Sequence, residues 1–209
     1  MSDGAHAEPT GRSEELLYDP NVPTPTHGER ARTLTALQKT GTLCTKARNP
    51  DGYPYGSFVT FVLDGGCPVF LLSELAEHTL NLRSDGRSSL LVAENEQEDP
   101  LANARVTLLG ICCVISSDKE KISARDAFLN AHPNAKYYVD YKDFSFWTLH
   151  VESLRYIGGY GRMSWISEKD WYESRLDPIG PHAKSIIDHM NTEHVDTMVG
   201  YCRVCLLYT

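Results

Sequence analysis

From Glu29 onward, apolar and polar positions alternate with regular periods. In GERARTLTALQKTG, Ala31, Leu34 and Leu37 recur every three residues. This predicts one apolar helix face, with Gly41 as the stop. The period then shortens to two. TLCTKA, GSFVTFVLDGG and CPVFLLS predict three strands; in the second, Phe58, Thr60 and Val62 oppose Val59, Phe61 and Leu63. RNPDGYP is a turn between the first two, and Asp64-Gly65-Gly66 predicts a hairpin between the last two. ELAEHTLNLRSDG returns to helical spacing through Leu75, Thr79 and Leu82, with Ser73 positioned to cap its first turn. RSSLLVAEN and RVTLLGICCVIS read as strands, the second with Gly110 inside it as at a bulge. SDKEKISARDAFLNAH predicts an amphipathic helix through Ile122, Ala127 and Phe128. DFSFWTLHVESLRYIGGYGRMSWIS returns to strand character, broken by Gly158, Gly159 and Gly161.

The flanks differ from this regular middle. Residues 1–28 are polar and punctuated by Pro9, Pro20, Pro23 and Pro25, the mark of a flexible arm without its own core. EKDWYESRLDPIGPHAK reads as a linker. IIDHMNTEHVDTM, residues 186–198, predicts one amphipathic helix with Ile187, Met190, His194 and Met198 on its apolar side. His189 and His194 are five apart, which turns them by about 140° on a helix. A two-histidine metal site of the HExxH kind is therefore not expected, and His194 should border a packed face. The domain plan is an arm over 1–28, a β-rich domain over 29–167, and a linker with a helical module over 168–209. Many antiparallel strands with few helices predict a mainly β, α+β fold: a small barrel with helices outside.

Composition narrows the function. A hydrophobic share of 41% is globular, and a formal net charge of −8 disfavours a nucleic-acid partner, which needs a basic surface. The six cysteines lack paired CxxC spacing; CRVC at 202–205 stands alone, so they are expected as small buried hydrophobes in a reducing compartment. The N-terminus MSDGAHAEPTG resembles neither a signal peptide nor an Arg-rich transit peptide. No apolar run reaches the length of a membrane span.

Five segments occur in order: GYPYGSFVTFVLD, LLSELAEHTLNLRSDGRSSLLV, DPLANARVTLLG, DFSFWTLHVESLRYIGGYGRMSW and DPIGPHAKSIIDHMNTEHVDTM. Together they resemble the FMN-binding split-barrel superfamily, which includes pyridoxamine phosphate oxidase. Within it they are similar to the HugZ-type haem-utilisation branch and its plant plastid relatives. The resemblance covers about residues 29 to 200. It implies a six-stranded antiparallel split β-barrel with flanking helices, working as a homodimer with ligand clefts between subunits. It also implies a small C-terminal helical module, of which residues 186–198 are the start and which this chain leaves shortened.

Flavin-using relatives hold the FMN phosphate with an arginine on the strand after the turn and a lysine at the start of the next helix. In register, Ser57 stands at the arginine position and His78 at the lysine position, so the resemblance implies a weak anion site at most. Thr60 joins Ser57's face only if the strand is bulged. The bland alternatives are an exposed strand serine and a solvated helix histidine. In YIGGYGRMSW the glycines let backbone approach a flat ligand closely, Arg162 offers a fork for a propionate, and Tyr160 and Trp165 offer aromatic faces. The alternative is a tight barrel corner with a surface arginine. Candidate haem-iron ligands are His182, by its position beyond the last barrel strand, and His150 or His78; His132 is a further histidine to place.

The leading function implied is haem binding with HugZ-type oxidative haem breakdown, in which haem supplies the chemistry and the protein orients it. One rival is an FMN-dependent oxidoreductase of the pyridoxamine phosphate oxidase type. Another is a non-enzymatic regulator of tetrapyrrole synthesis that acts by protein binding. Haem is thus the expected cofactor, with FMN second, and the enzyme assignment stays open. The expected location is soluble: plastid stroma in a plant, cytoplasm otherwise.

Overall fold

The computed structural model describes residue 21 and residues 23–95, 97–159 and 161–204. Helix α1 (His27–Leu37) opens the fold behind a capping box not foreseen from the spacing: Glu29 N–H donates to Thr26 Oγ1 at 3.1 Å, and Thr26 N–H donates to Glu29 Oε2 at 2.8 Å. Ala31 and Leu34 are buried, but Leu37 is exposed. Gly41 is not the helix stop. It lies in the first strand, where a Cβ would press on Leu91 O at 2.8 Å.

Eight strands form one antiparallel sheet: β1 (Thr40–Lys46), β2 (Pro54–Thr60), β3 (Val62–Asp64), β4 (Cys67–Ser73), β5 (Arg87–Ala93), β6 (Arg105–Val114), β7 (Phe144–Ile157) and β8 (Met163–Ser167). The hydrogen-bonded order is β2-β1-β5-β6-β7-β4-β3, with β8 added to β7. The six expected strands are all present, and two of them are divided. The run 56–64 breaks at Phe61, whose N–H donates to Lys39 O at 3.0 Å and whose carbonyl accepts from His132 Nε2 at 2.8 Å. Because β2 and β3 lie at opposite ends of the sheet path, this one residue joins the two edges through the chain rather than through a ladder. That is a split barrel, and it gives His132 a structural role. The second division lies at the glycine cluster. Gly158 N–H donates to Arg162 O at 2.7 Å, while Gly159 and Gly161 take positive φ of 92° and 73°, which only glycine adopts at little cost.

The barrel interior is filled by Leu43, Phe61, Phe70, Leu90, Leu108 and Leu149, among others. Gly110 does sit at a bulge: the β6–β7 register shifts between Leu109 and Gly110. A Cβ at Gly110 would stand 1.8 Å from His150 O, so no larger residue fits there.

Helix α2 (Glu77–Ser84) starts later than its apolar pattern predicts. Ser73 Oγ accepts from Leu75 N–H ahead of the helix, and Leu75 is 81% exposed. In α3 (Asp118–Ala131), Ala124 and Phe128 carry the buried face, whereas Ile122 points to solvent. The expected linker begins with a further helix, α4 (Glu168–Glu173), and its Trp171 is fully buried in the barrel core. The core thus runs past residue 167.

The predicted helix over 186–198 is two helices, α5 (Ala183–Glu193) and α6 (Val195–Val204). They divide at His194, which is exposed rather than bordering a packed face; its ring lies 5.0 Å from that of His189. Cys112 is buried as expected, but Cys202 is exposed; Cys205 lies outside the described residues. Among the described residues no group of three or more His, Cys, Asp or Glu is placed to hold a metal ion, and no helix is long and apolar enough to cross a membrane.

Candidate functional site

Strand parity separates the two β2 residues. Ser57 pairs with Leu43 and turns inward with Val59; its Oγ is buried and has no hydrogen-bond partner. Thr60 pairs with Thr40 on the opposite face, so the bulge needed to unite them does not occur. Ser57 is therefore not an exposed strand residue. His78 is the second residue of α2 and half-buried; burial pushes its imidazole below the ordinary value of 6.5, toward the neutral form. His150 is exposed on β7, with Nδ1 3.9 Å from Cys67 Sγ. Trp165 is 64% exposed on β8, and the Arg155 guanidinium lies 5.7 Å from its ring centre. Arg162 is exposed in the turn before β8, and His182 is exposed on the short 3₁₀ turn Gly180–His182. Tyr160 lies outside the described residues. The predicted residues thus fall into separate groups: Ser57, Thr60 and His78 with β2 and α2, His150 on β7, and Arg162, Trp165 and His182 beyond it.

A groove of about 850 Å³ runs between α1, residues 23–25 and residues 175–179. Pro25, Leu34, Leu37, Leu176 and Ile179 give it apolar walls, and Arg30 and Arg175 bring guanidinium groups to it. Tyr156 lies in its floor. Burial raises the Tyr156 phenol pKa, and the nearby Arg30 and Arg162 charges oppose that shift. A Cβ at Gly158 would come within 2.7 Å of Tyr156 Oη, so the glycine cluster leaves room for this phenol. The strap that closes the groove is tied to α1: Asp177 N–H donates to Thr33 Oγ1 at 2.9 Å, and Gly180 packs against Thr33. His182 N–H donates to Ile179 O at 2.8 Å, which puts His182 on the turn at one end of the groove.

On the other side of Glu29 lies a hollow of about 400 Å³ lined by His27, Ser164, Trp165 and Asp170, where His27 Nδ1 and Ser164 Oγ are 2.8 Å apart. Of these two hollows, the groove is the larger and offers the apolar walls and guanidinium groups that a large flat ligand with carboxylate arms would use. Its two permanent cations, Arg30 and Arg175, stand among the carboxylates Glu29, Glu94 and Asp177, and its volume lies within the usual range of about 300–1,000 Å³ for ligand pockets.

Residues 23–173 match the model of the family described as CREG, beta-barrel. The chain belongs to that family. This CREG barrel chain is 34% identical over 171 residues to the protein of Arabidopsis thaliana named non-canonical heme oxygenase HOZ, chloroplastic; the match covers 79% of the chain and 52% of that protein. The chain therefore spans about half the length of that relative. It is also similar to the solved structure of a heme binding protein from Mycobacterium smegmatis, at 41% identity and a TM-score of 0.77, over 90% of this chain and 76% of that one. HutZ, described as the heme storage protein of Vibrio cholerae, shares the fold alone: 21% identity and a TM-score of 0.52, over 57% of the CREG barrel chain and 85% of HutZ. The split-barrel resemblance and the fold class expected from the sequence are borne out.

Arg30, Tyr156 and Arg175 were not singled out from the sequence. Tyr156 had a signal, since it opens the quoted YIGGYGRMSW stretch two residues before Gly158. The arginines had none, because nothing in their local spacing separates them from ordinary surface arginines.

Proposed function

We propose that this chain binds haem in the groove between α1 and the 175–182 strap, and that it belongs functionally with HugZ-type oxidative haem breakdown. The observation that carries the reading is the groove itself, with apolar side chains on its walls, Arg30 and Arg175 among the carboxylates Glu29, Glu94 and Asp177, and the turn that bears His182 three residues beyond its last lining residue, Ile179. The names of the Arabidopsis and Mycobacterium relatives support the same ligand. When bound, haem would supply the redox chemistry. The chain's own residues would do the rest. Arg30 and Arg175 would pair with the propionates, Leu34, Leu37 and Ile179 would keep water from the macrocycle, and His182 would offer its imidazole to the iron. Arg162, close enough to act on the Tyr156 phenol, would add positive potential at the groove floor.

FMN is the weaker reading. Ser57 offers a phosphate a neutral hydroxyl and His78 an imidazole that burial shifts toward the neutral form, so neither replaces a permanent cation. Tight binding of a protein partner without haem turnover would favour the rival role, a non-enzymatic regulator of tetrapyrrole synthesis.

The chain would act as a homodimer through the outer face of the sheet. One cross-strand row there runs Phe58, Thr42, Leu91, Thr107, Arg155, Trp165. Phe58, Leu91 and Trp165 of this row are exposed, and covering these three apolar side chains would favour association. A plastid location is in keeping with the name of the Arabidopsis relative.

Titration with haemin, followed by absorption spectroscopy, tests the reading. A Soret shift that saturates at one haem per chain, and that changes in His182→Ala, is expected. Stoichiometric flavin in the purified protein with no Soret shift would overturn it.

A further inference from the structure

Cys67 opens β4, and two side chains from distant parts of the chain converge on its sulfur. Tyr172 Oη lies 3.4 Å from Cys67 Sγ. The same phenol oxygen accepts the Val151 N–H at 3.2 Å. A backbone N–H can only donate, so the phenol is an acceptor on that side; its own O–H is available to the sulfur, and in that contact either the phenol or the thiol can donate. His150 Nδ1 stands 3.9 Å from the same atom. A thiol with a base within reach is the core of an activated nucleophile, and here the third group, Tyr172, touches the sulfur rather than the base.

The surroundings hold this geometry. Burial, and after it the hydrogen bond to Cys67, pushes the Tyr172 phenol up to about 12, so it stays a proton donor at neutral pH. Arg32 Nη1 donates to Trp171 O at 2.7 Å and to Tyr172 O at 3.2 Å, which fixes the end of α4. His150 rides on the β7 segment that Gly110 admits. Cys67 is half-buried and His150 exposed, so the cluster lies at the protein surface rather than in the core. The other charged or titratable groups around it are Asp64 across the hairpin, Arg32 beside Gly66, Cys113 on β6, and Glu168, which acts on Tyr172.

We propose that Cys67, His150 and Tyr172 form a thiol site that reacts with hydroperoxides. In the step, the Cys67 S–H proton passes to His150 Nδ1 while the sulfur attacks one peroxide oxygen. The S–O bond forms, the O–O bond breaks, and His150 returns the proton to the leaving oxygen, which departs as water from hydrogen peroxide or as the alcohol from an alkyl hydroperoxide. Sulfur is oxidised by two electrons to the sulfenic acid and the peroxide is reduced by the same two. The site shares no residue with the haem groove and does not rest on the haem reading.

The test treats the full chain with limiting hydrogen peroxide in the presence of dimedone, which traps sulfenic acids, and follows each cysteine by peptide mass spectrometry. Cys67 is expected to label at least about tenfold faster than the exposed Cys202, which serves as the internal reference. His150→Gln and Tyr172→Phe should each slow Cys67 about fivefold or more without changing Cys202. Labelling of Cys67 no faster than that of Cys202, or a fast rate indifferent to both substitutions, would overturn the proposal and leave Cys67 as a packing residue. If Tyr172→Phe fails to fold, His150→Gln alone decides, since His150 is an exposed side chain.

Discussion

Trp171 Nε1 donates to Gly66 O at 2.8 Å, across 105 residues of chain. The bond fastens α4 to the β3–β4 hairpin from inside the barrel. Arg32 stacks on the same indole, 5.5 Å from its centre, so α1, α4 and the hairpin share one anchor.

Trp171→Ala should therefore be among the most damaging single changes. Removing a fully buried Trp costs about 3–5 kcal/mol. Trp171→Phe keeps most of the ring but strands the Gly66 carbonyl, at about 1–3 kcal/mol. Urea unfolding of both variants should rank them in that order; equal midpoints would mean that the hydrogen bond contributes little.

Gly110→Ala should destabilise through overpacking. The new methyl would collide with His150 O, and β7 cannot yield without disturbing its pairing with β4 and β8. Overpacking of this kind costs about 1–3 kcal/mol, with more when backbone must move. A thermal scan showing no loss would mean that the bulge can slide.

His78 should make stability depend on pH. Its folded pKa lies below the unfolded value of about 6.5, so below that pH the unfolded chain takes up the proton more readily than the folded one. The protein is then most stable above about pH 6.5 and loses stability as the pH falls through that value. His78→Gln should remove part of the loss between pH 7.5 and 5.5 in denaturant midpoints. A variant that loses as much as the parent would assign the effect to other groups.

Arg175→Ala and Arg30→Ala test the groove as a propionate site. Each charge-assisted pair is worth about 1.5–3 kcal/mol, so haemin affinity should fall about ten- to a hundredfold per substitution. Both arginines lie at the surface groove rather than in the core, so melting temperatures should stay close to the parent's. Unchanged affinity with both removed would move the site elsewhere.

Phe58→Asp should abolish the proposed homodimer while leaving the barrel folded, because the side chain faces outward from β2. A stable dimer would bury more than about 2,000 Å² in total. Light scattering at micromolar concentration reads the outcome; a parent protein that is already monomeric would remove the dimer from the proposed function.

The order of the six strand segments, the hairpin at Asp64-Gly65-Gly66 and the bulge at Gly110 were legible from local information: period two for strands, helical spacing for α1 and α3, glycine where backbone must turn or come close. The split-barrel family was legible only as a resemblance carried by five segments in order. Local spacing also misled. Leu75 and Ile122 sit at helical periods yet face solvent, because periodicity marks an apolar face without showing whether anything covers it.

The sequence by itself determined most of the strand and helix segments, because backbone preference and apolar period act over a few neighbouring residues; it did not mark α4 or the breaks that separate β2 from β3 and α5 from α6. Only the tertiary structure decided what those segments meet. The break at Phe61 depends on His132, 71 residues away, and the inward turn of Ser57 follows from β1–β2 register. The groove exists because the 175–182 strap returns to α1, and the Cys67 cluster because His150 and Tyr172 arrive from 83 and 105 residues further along. Such meetings are set by strand register and chain closure, which depend on the packing of the whole barrel rather than on any one segment.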